Sequence, residues 1–308
     1  MSKLSASLVK ELREKTGSGM MDCKKALAET DGDINSAIDW LRAKGLSAAA
    51  KKSNRTTAEG LVSFCIEKNK AAIIEVNAET DFVSRNDIFQ EFVKKVAKLS
   101  ITTRGNLEDL LEQKVPDNNN SVSEELTSLI STIGENMNIR RYDFIEVNSG
   151  IISSYMHSSV SEGLGKIAVL VSIEGDTSSS LITDFGKKLA MHIAASNPRF
   201  INIDNVDKET LDRERQVLTE QALESGKPKE VIDKMVDGRI KKFFDEIVLL
   251  EQVFVLSDDK LKVRQEISNI EKQLDTKVVI KNFVRFSLGE GIEREEKDFA
   301  SEVAEAVK

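Results

Sequence analysis

Histidine and cysteine are scarce in this sequence, at two residues each. Cys23 and Cys65 lie far apart without CxxC spacing, and only His157 and His192 could join them, so no zinc ligand set can be written. Thiols used this sparingly point to a reduced, intracellular setting, and the expected location is the cytoplasm. No apolar run reaches bilayer-spanning length, no signal peptide precedes Leu4, and no Arg-rich leader opens the chain. No membrane partner is therefore expected. Catalytic signatures are missing too: GxGxxG, GxSxG and HExxH do not occur. Gly163–Leu164–Gly165–Lys166 comes nearest to a phosphate-binding loop. It lacks the upstream glycine, and Ile167 stands where a metal-binding hydroxyl belongs, so it reads as a hairpin loop. Acid–base or nucleophilic chemistry has no visible home, and no cofactor or metal is expected. Carboxylates are plentiful, but nothing in the sequence singles out a pair.

What is present is ordinary globular material. Hydrophobic residues make up 40% and charged residues 31%, enough to build a core, and 308 residues suit two or three domains. The formal charge of −8 argues against a broad nucleic-acid groove. Basic residues gather locally at Lys51, Lys52 and Arg55, and a solvated linker explains them better than an RNA contact does.

Periodicity predicts three short helices in the first 45 residues. Leu8, Val9 and Leu12 mark one, stopped by Gly17. Met20, Met21 and Leu27 mark the next, which ends near Asp31–Gly32. Asp33 caps the third, whose Ile34, Ala37, Ile38 and Leu41 share a face, and Gly45 closes it. So small a bundle has a thin core and is marginal alone. Ala48–Thr57 reads as a linker.

An internal repeat follows. Its first copy has strands Leu61–Ile66 and Ala71–Val76, then a helix capped near Asp87 that carries Phe89, Phe92, Val93, Val96 and Leu99. The second has strands Ile151–His157 and Ile167–Ile173, then a helix with Leu181, Ile182, Phe185, Leu189 and Ile193. Two hairpin-plus-helix units of the same order predict two related α+β subdomains with antiparallel sheets. Pro116–Ser121 reads as a solvated excursion. Residues 207–250 are polar and helical around Ser225–Gly226–Lys227–Pro228, which predicts an antiparallel helical hairpin. Its narrow apolar stripe suits a protruding coiled coil, each arm of roughly 20 residues reaching about 30 Å. Runs at Val253–Leu256 and Val278–Phe286 are strand-like and could extend the second sheet. Phe299, Val303 and Val307 mark a last helix.

One place breaks the repeat. After its second strand, the second copy has Glu174–Gly175–Asp176–Thr177–Ser178, a plain turn, whereas the first has Thr80–Asp81–Phe82–Val83. A turn does not need Phe and Val together. The structural alternative is a hydrophobic staple, with Phe82 or Val83 packing on the following helix, and pattern alone favours it.

The segment Glu79–Val83 (ETDFV) resembles the TDFV signature of the elongation factor Ts family. Leu8–Lys25 (LVKELREKTGSGMMDCKK) resembles that family's opening. Ile133–Arg141 (IGENMNIRR), Met191–Ala195 (MHIAA), Ser225–Glu230 (SGKPKE) and Gly289–Ile292 (GEGI) follow in the family's order, so the resemblance spans almost the whole chain.

The resemblance implies an α+β fold. Residues 1–54 would form a three-helix module like ubiquitin-associated domains, with its linker. The two core subdomains would be 55–142 and 143–286, the second carrying the coiled-coil hairpin at about 207–248, and 287–308 would form a C-terminal helical module. It also implies an activity without covalent chemistry: exchange of guanine nucleotide on elongation factor Tu. Thr80, Asp81, Phe82 and Val83 would enter the partner's GTPase domain, with Phe82 as a wedge beside the nucleotide and magnesium and Asp81 shaping the loop. Arg13, Met20, Met21 and Lys24 match N-terminal positions that face the partner, and Ile133 and Gly134 match a core contact. His157, Val255 and Leu256 match residues that grip the partner's third domain. The plainer alternatives put the methionines in a core and Lys24 on a solvated face. The loop Ser158–Gly165 is longer than is usual in the family, which leaves the contact of His157 less defined. No direct nucleic-acid contact is implied, the rival reading being an RNA-binding translation accessory protein. Self-association through the hairpin stays open.

Overall fold

A computed structural model describes residues 5–16, 18–116, 119–175, 179–224 and 228–293. Helices α1 (Ala6–Thr16), α2 (Met20–Glu29) and α3 (Ile34–Lys52) enclose a small cluster of Leu12, Cys23, Ala26, Leu27, Ala37 and Leu41. Asp33 caps α3, its carboxylate accepting from the Ser36 amide at 2.7 Å. Gly45 does not end this helix. The alanines that follow are the best helix formers. Gly45 also sits against Ser131, and Ala49 packs on the core beyond. The linker expected from Ala48 is therefore helical as far as Lys52, and only Ser53–Ala58 connects α3 to the first strand.

Strands β1 (Glu59–Glu67) and β2 (Lys70–Ala78) form the first hairpin. Helices α4 (Asp81–Ser84), α5 (Asp87–Ser100), α6 (Leu107–Glu112) and α7 (Val122–Ile133) follow, and then β3 (Met137–Glu146). Strands β4 (Gly150–His157) and β6 (Ile167–Glu174) form the second hairpin, with a two-residue strand β5 (Leu164–Gly165) between them. Next come α8 (Ser180–Ser196), α9 (Lys208–Leu223), α10 (Lys229–Ile247), α11 (Val263–Leu274) and β7 (Val279–Ser287). Strand β3 and helices α6, α7 and α11 add to the elements expected from the sequence. The first sheet has the order β3-β2-β1-β5 and the second β4-β6-β7, with every named pairing antiparallel. The α+β class expected from the sequence is what the chain forms.

The repeat extends further than the hairpins. In each copy a later strand joins the hairpin's second strand, β3 beside β2 and β7 beside β6. Both of these ladders carry an irregularity at the same point, between Glu75 and Val76 and between Ser172 and Ile173. One residue beyond each, the neighbouring strand carries a glycine, Gly60 opposite Asn77 and Gly150 opposite Glu174. A Cβ there would come within 2.1 Å of the Val76 carbonyl or 2.0 Å of the Ile173 carbonyl.

Alternation along the strands sorts the core. Leu61, Ile74 and Val76 face α5 and α7, while Val169, Val171 and Ile173 face α8 and α11. Val62, Ala71, Ile73 and Ile145 meet Ala168, Leu170, Val284 and Phe286, so the two sheets stack face to face. Buried on both sides, β2 and β6 read as nearly continuous apolar runs. Helices α9 and α10 pack antiparallel around their own cluster of Leu218, Ala222, Ile232, Val236 and Ile240, with Arg215 paired to Asp237 at 3.1 Å.

Of the two strand-like runs, Val278–Phe286 corresponds to β7, but Val253–Leu256 is not a strand. Only Val253 makes a bridge, to Lys262. Phe254 turns inward while Val253 and Val255 stay exposed, and Val255 and Leu256 form a turn. The positions of Gly17 and Gly226, residues 176–178, and Phe299, Val303 and Val307 in the last expected helix lie outside the described residues.

Candidate partner-binding surface

Thr80 leaves β2 and opens α4, a single turn of helix. Its two apolar residues part company there. Val83 is 3% exposed and joins the cluster of Phe89, Val93 and Val96, whereas Phe82 is 77% exposed. The staple reading thus holds for Val83, and Phe82 stands in water on a turn that its neighbour anchors. Asp81 is exposed beside it and pairs with Arg85 at 3.6 Å.

The turn is held from several sides. Thr80 gives both its polar hydrogens to Glu135: the amide donates to Oε2 at 3.0 Å and the hydroxyl to Oε1 at 2.8 Å. In return, the Asn136 amide donates to Glu79 Oε1 at 2.5 Å. The Asn136 side chain donates to the carbonyls of Ser53 and Arg55, and Arg55 pairs with Glu79 at 3.4 Å. From the other end, the Gln90 amide group donates to the Ser84 carbonyl at 2.9 Å, and the Ser161 hydroxyl donates to Gln90 at 2.9 Å. Ser161 belongs to the long loop between β4 and β6, so the second repeat reaches the turn of the first. Ile133 is half-buried against the first core, and Gly134 ends α7 in a left-handed conformation with φ +91°.

On the N-terminal helices, Met20 and Met21 are exposed, Met21 at 74%, so neither belongs to the core of the module. Met20, Arg13 and Lys24 line a shallow hollow with Ala6, Val9 and Lys10. On the second repeat, Val255 is 58% exposed and Leu256 lies exposed beside it. His157 ends β4 in solvent and meets the Tyr155 hydroxyl at 3.1 Å.

The turn that bears Val255 depends on a buried histidine. The Val255 amide donates to His192 Nδ1 at 3.2 Å, which leaves the imidazole proton on Nε2, 2.9 Å from Gln252 Oε1. Gln252 is oriented in turn, its amide group donating to the carbonyls of Ser196 and Glu246. Burial holds the His192 pKa below its ordinary value, since charge is costly there. Glu135, Asn136, His192 and Gln252 were missed as site-building residues. The first three sit inside the quoted segments IGENMNIRR and MHIAA, and their spacing alone names no partner for them.

Among the described residues, no group of acidic, histidine or cysteine side chains could hold a metal ion, and no helix is long and apolar enough to cross a membrane. Fold and site define a two-sheet α+β protein that displays apolar side chains on braced turns. The family model described as elongation factor TS matches residues 79–290. An elongation factor Ts from Rhodospirillum centenum is 54% identical over 304 residues, 99% of each chain. One from Rhodospirillum rubrum is 52% identical over the full length of both chains, and one from Gluconobacter oxydans is 53% identical over 99% of each. The chain belongs to the elongation factor Ts family, and with it to the translation elongation factors.

Proposed function

We propose that this chain is a cytoplasmic guanine-nucleotide exchange factor. It binds elongation factor Tu carrying GDP and promotes GDP release, so that GTP can rebind during elongation. It does so without a cofactor and without making or breaking a covalent bond. The observation that carries this reading is Phe82. A large apolar side chain left 77% exposed on a turn fastened by Val83, Glu135 and Gln90 is built to be buried by something else. Asp81 beside it supplies a charge that can disturb the polar shell of a bound magnesium ion.

Exchange is linkage: the factor must prefer the nucleotide-free partner, and GDP must then weaken its hold. A thousandfold acceleration requires about 4 kcal/mol of relative transition-state stabilisation. Burying one Phe supplies about 1.5–3 kcal/mol. Other contacts must therefore present the wedge so that its insertion is nearly intramolecular. Met20, Met21, Arg13 and Lys24 would do this from the N-terminal helices, Ile133 and Gly134 from the first core, and His157, Val255 and Leu256 from the second. The division at 1–54, 55–142, 143–286 and 287–308 belongs to the same reading. The hairpin is assigned no part in exchange.

An RNA-binding role through Lys51, Lys52 and Arg55 is the weaker reading. Arg55 is engaged by Glu79, and the formal charge of −8 opposes it. The deciding experiment is release of labelled GDP from elongation factor Tu with and without this protein. Unchanged release at saturating protein refutes the proposal.

A further inference from the structure

Thr80 occupies the N-cap position of α4 but does not cap it. A threonine there ordinarily turns its hydroxyl oxygen to the helix's own amides. Here the hydroxyl is spent on Glu135, 55 residues further on, and the Thr80 amide goes to the same carboxylate. Both bonds are charge-assisted and so of the stronger kind. The reciprocal bond from Asn136 to Glu79 closes a ring across the two segments. Glu135 itself follows Gly134, the left-handed residue that terminates α7, so the end of that helix sets where the carboxylate points.

We propose that Glu135 is the positioning residue for the exchange wedge. By accepting from both the backbone amide and the hydroxyl of Thr80, it sets the direction in which Phe82 leaves the surface. The proposal rests on the exchange reading above and adds to it a residue that acts only through Phe82. Without Glu135 the turn would be fastened only at its far end, by the burial of Val83 and the bond from Gln90 to the Ser84 carbonyl, and Thr80 could swing. The Glu135 carboxylate supplies the directional constraint at the Thr80 end and removes this freedom before the partner arrives, which is preorganisation.

The test compares Glu135→Ala, Glu135→Gln and Thr80→Val, each alone and combined with Phe82→Ala, on release of labelled GDP from the partner GTPase. Hydrogen exchange at the Thr80 amide is followed in the free proteins. Glu135→Ala should slow release at saturating protein by roughly tenfold, the effect of about 1.4 kcal/mol. The half-saturating concentration should move by less than about twofold, because the other contacts remain. Glu135→Gln should slow release much less, since its amide oxygen still accepts from the Thr80 amide and its N–H can donate to the Thr80 hydroxyl. In the Phe82→Ala background the Glu135→Ala effect should vanish. The Thr80 amide should exchange faster in Glu135→Ala, while the amides of β2 stay protected.

An equal loss in the Phe82→Ala background would overturn the proposal, as would a Gln variant as poor as the Ala variant, which would mean that the charge itself acts on the partner. Should Glu135→Ala fail to fold, Thr80→Val decides. It removes one of the two bonds and should slow release in a way that depends on Phe82, and normal release would overturn the clamp. If the native chain does not accelerate release at all, the exchange reading falls. The Thr80 amide then still decides whether Glu135 holds the turn.

Discussion

Arg141 donates from Nε to Glu75 Oε2 at 2.5 Å, inside the molecule, with no part of Glu75 reaching water. Arg140 reaches the other carboxylate oxygen at 3.1 Å, and the Gly289 amide donates to it at 2.8 Å. Arg141 also donates to the Ser287 carbonyl at 2.9 Å and lies over the ring of Phe286 at 4.3 Å. One carboxylate therefore joins β2 and β3 of the first repeat to the end of β7 in the second. At the equivalent place the second repeat has Ser172, which donates to Asn282 within its own sheet. The repeat loses its symmetry where the sheets must be tied together.

Removing Glu75 should take the buried carboxylate from two half-buried guanidinium groups and leave them Glu290, at the surface, and the Ser287 carbonyl. Glu75→Ala is expected to cost about 3–5 kcal/mol, toward the lower end because both arginines keep some contact with water. Glu75→Gln should cost less. Urea unfolding checks this, and a loss below about 1 kcal/mol would show that the carboxylate does not tie the sheets.

Phe82 and Val83 should respond in opposite ways. Phe82→Ala removes an exposed ring and should change stability by no more than about 0.5 kcal/mol. Release of GDP should slow by roughly tenfold to a hundredfold, the worth of one buried aromatic. Val83→Ala should destabilise the fold by about 1–3 kcal/mol. Thermal unfolding beside stopped-flow release of a fluorescent GDP analogue separates the two. A Phe82→Ala protein that melts early yet exchanges normally would remove the wedge.

Met20 and Met21 should matter for affinity and not for folding. A Met20→Ala/Met21→Ala chain is expected to keep the native melting curve. Its half-saturating concentration for release should rise about threefold to tenfold, as for one or two partly buried side chains. An early melting transition would instead return the methionines to the core of the module.

The helical hairpin should be dispensable for most of the exchange activity. Its apolar residues form a cluster of their own, separate from both sheet cores. Replacing residues 210–243 by a short Gly/Ser loop should leave the remainder folded and active. Complete loss of release, with the circular dichroism of the core retained, would give the hairpin a direct part.

Acid should loosen the second repeat through His192. Burial lowers its pKa in the folded chain below the ordinary 6.5, while the unfolded chain takes up a proton near that value. Its contribution to stability is thus full above about pH 6.5 and is lost as pH falls toward the lowered value. Protonation at Nδ1 would also set a second donor against the Val255 amide. The resonances of a His157→Gln chain, which leaves one imidazole, give the titration directly. A His192 that titrates at or above its ordinary value would show that Nδ1 is not held as an acceptor.

Much of this protein could be read from local pattern. The hairpins, the long helices of each repeat and the cap of α3 at Asp33 follow from spacing and turn chemistry within a few residues. The resemblance at ETDFV and along the chain singles out one turn, Thr80–Val83. Three things depended on distant segments. Gly45 signals a helix end, but α7 packs against it and α3 runs on to Lys52. Val253–Leu256 has strand composition, yet its backbone bonds to His192 and Leu261 rather than to a sheet neighbour. Phe82 and Val83 are adjacent apolar residues on a single helical turn, too short for any period to tell them apart. Local sequence determines which segments are helix or strand, because propensity and periodicity act over one or two turns. Which of two neighbouring side chains goes inward was decided only by the tertiary structure. Val83 joins a cluster with Phe89 and Val93, and the carboxylate that holds Thr80, two residues before Phe82, comes from just beyond the far end of α7.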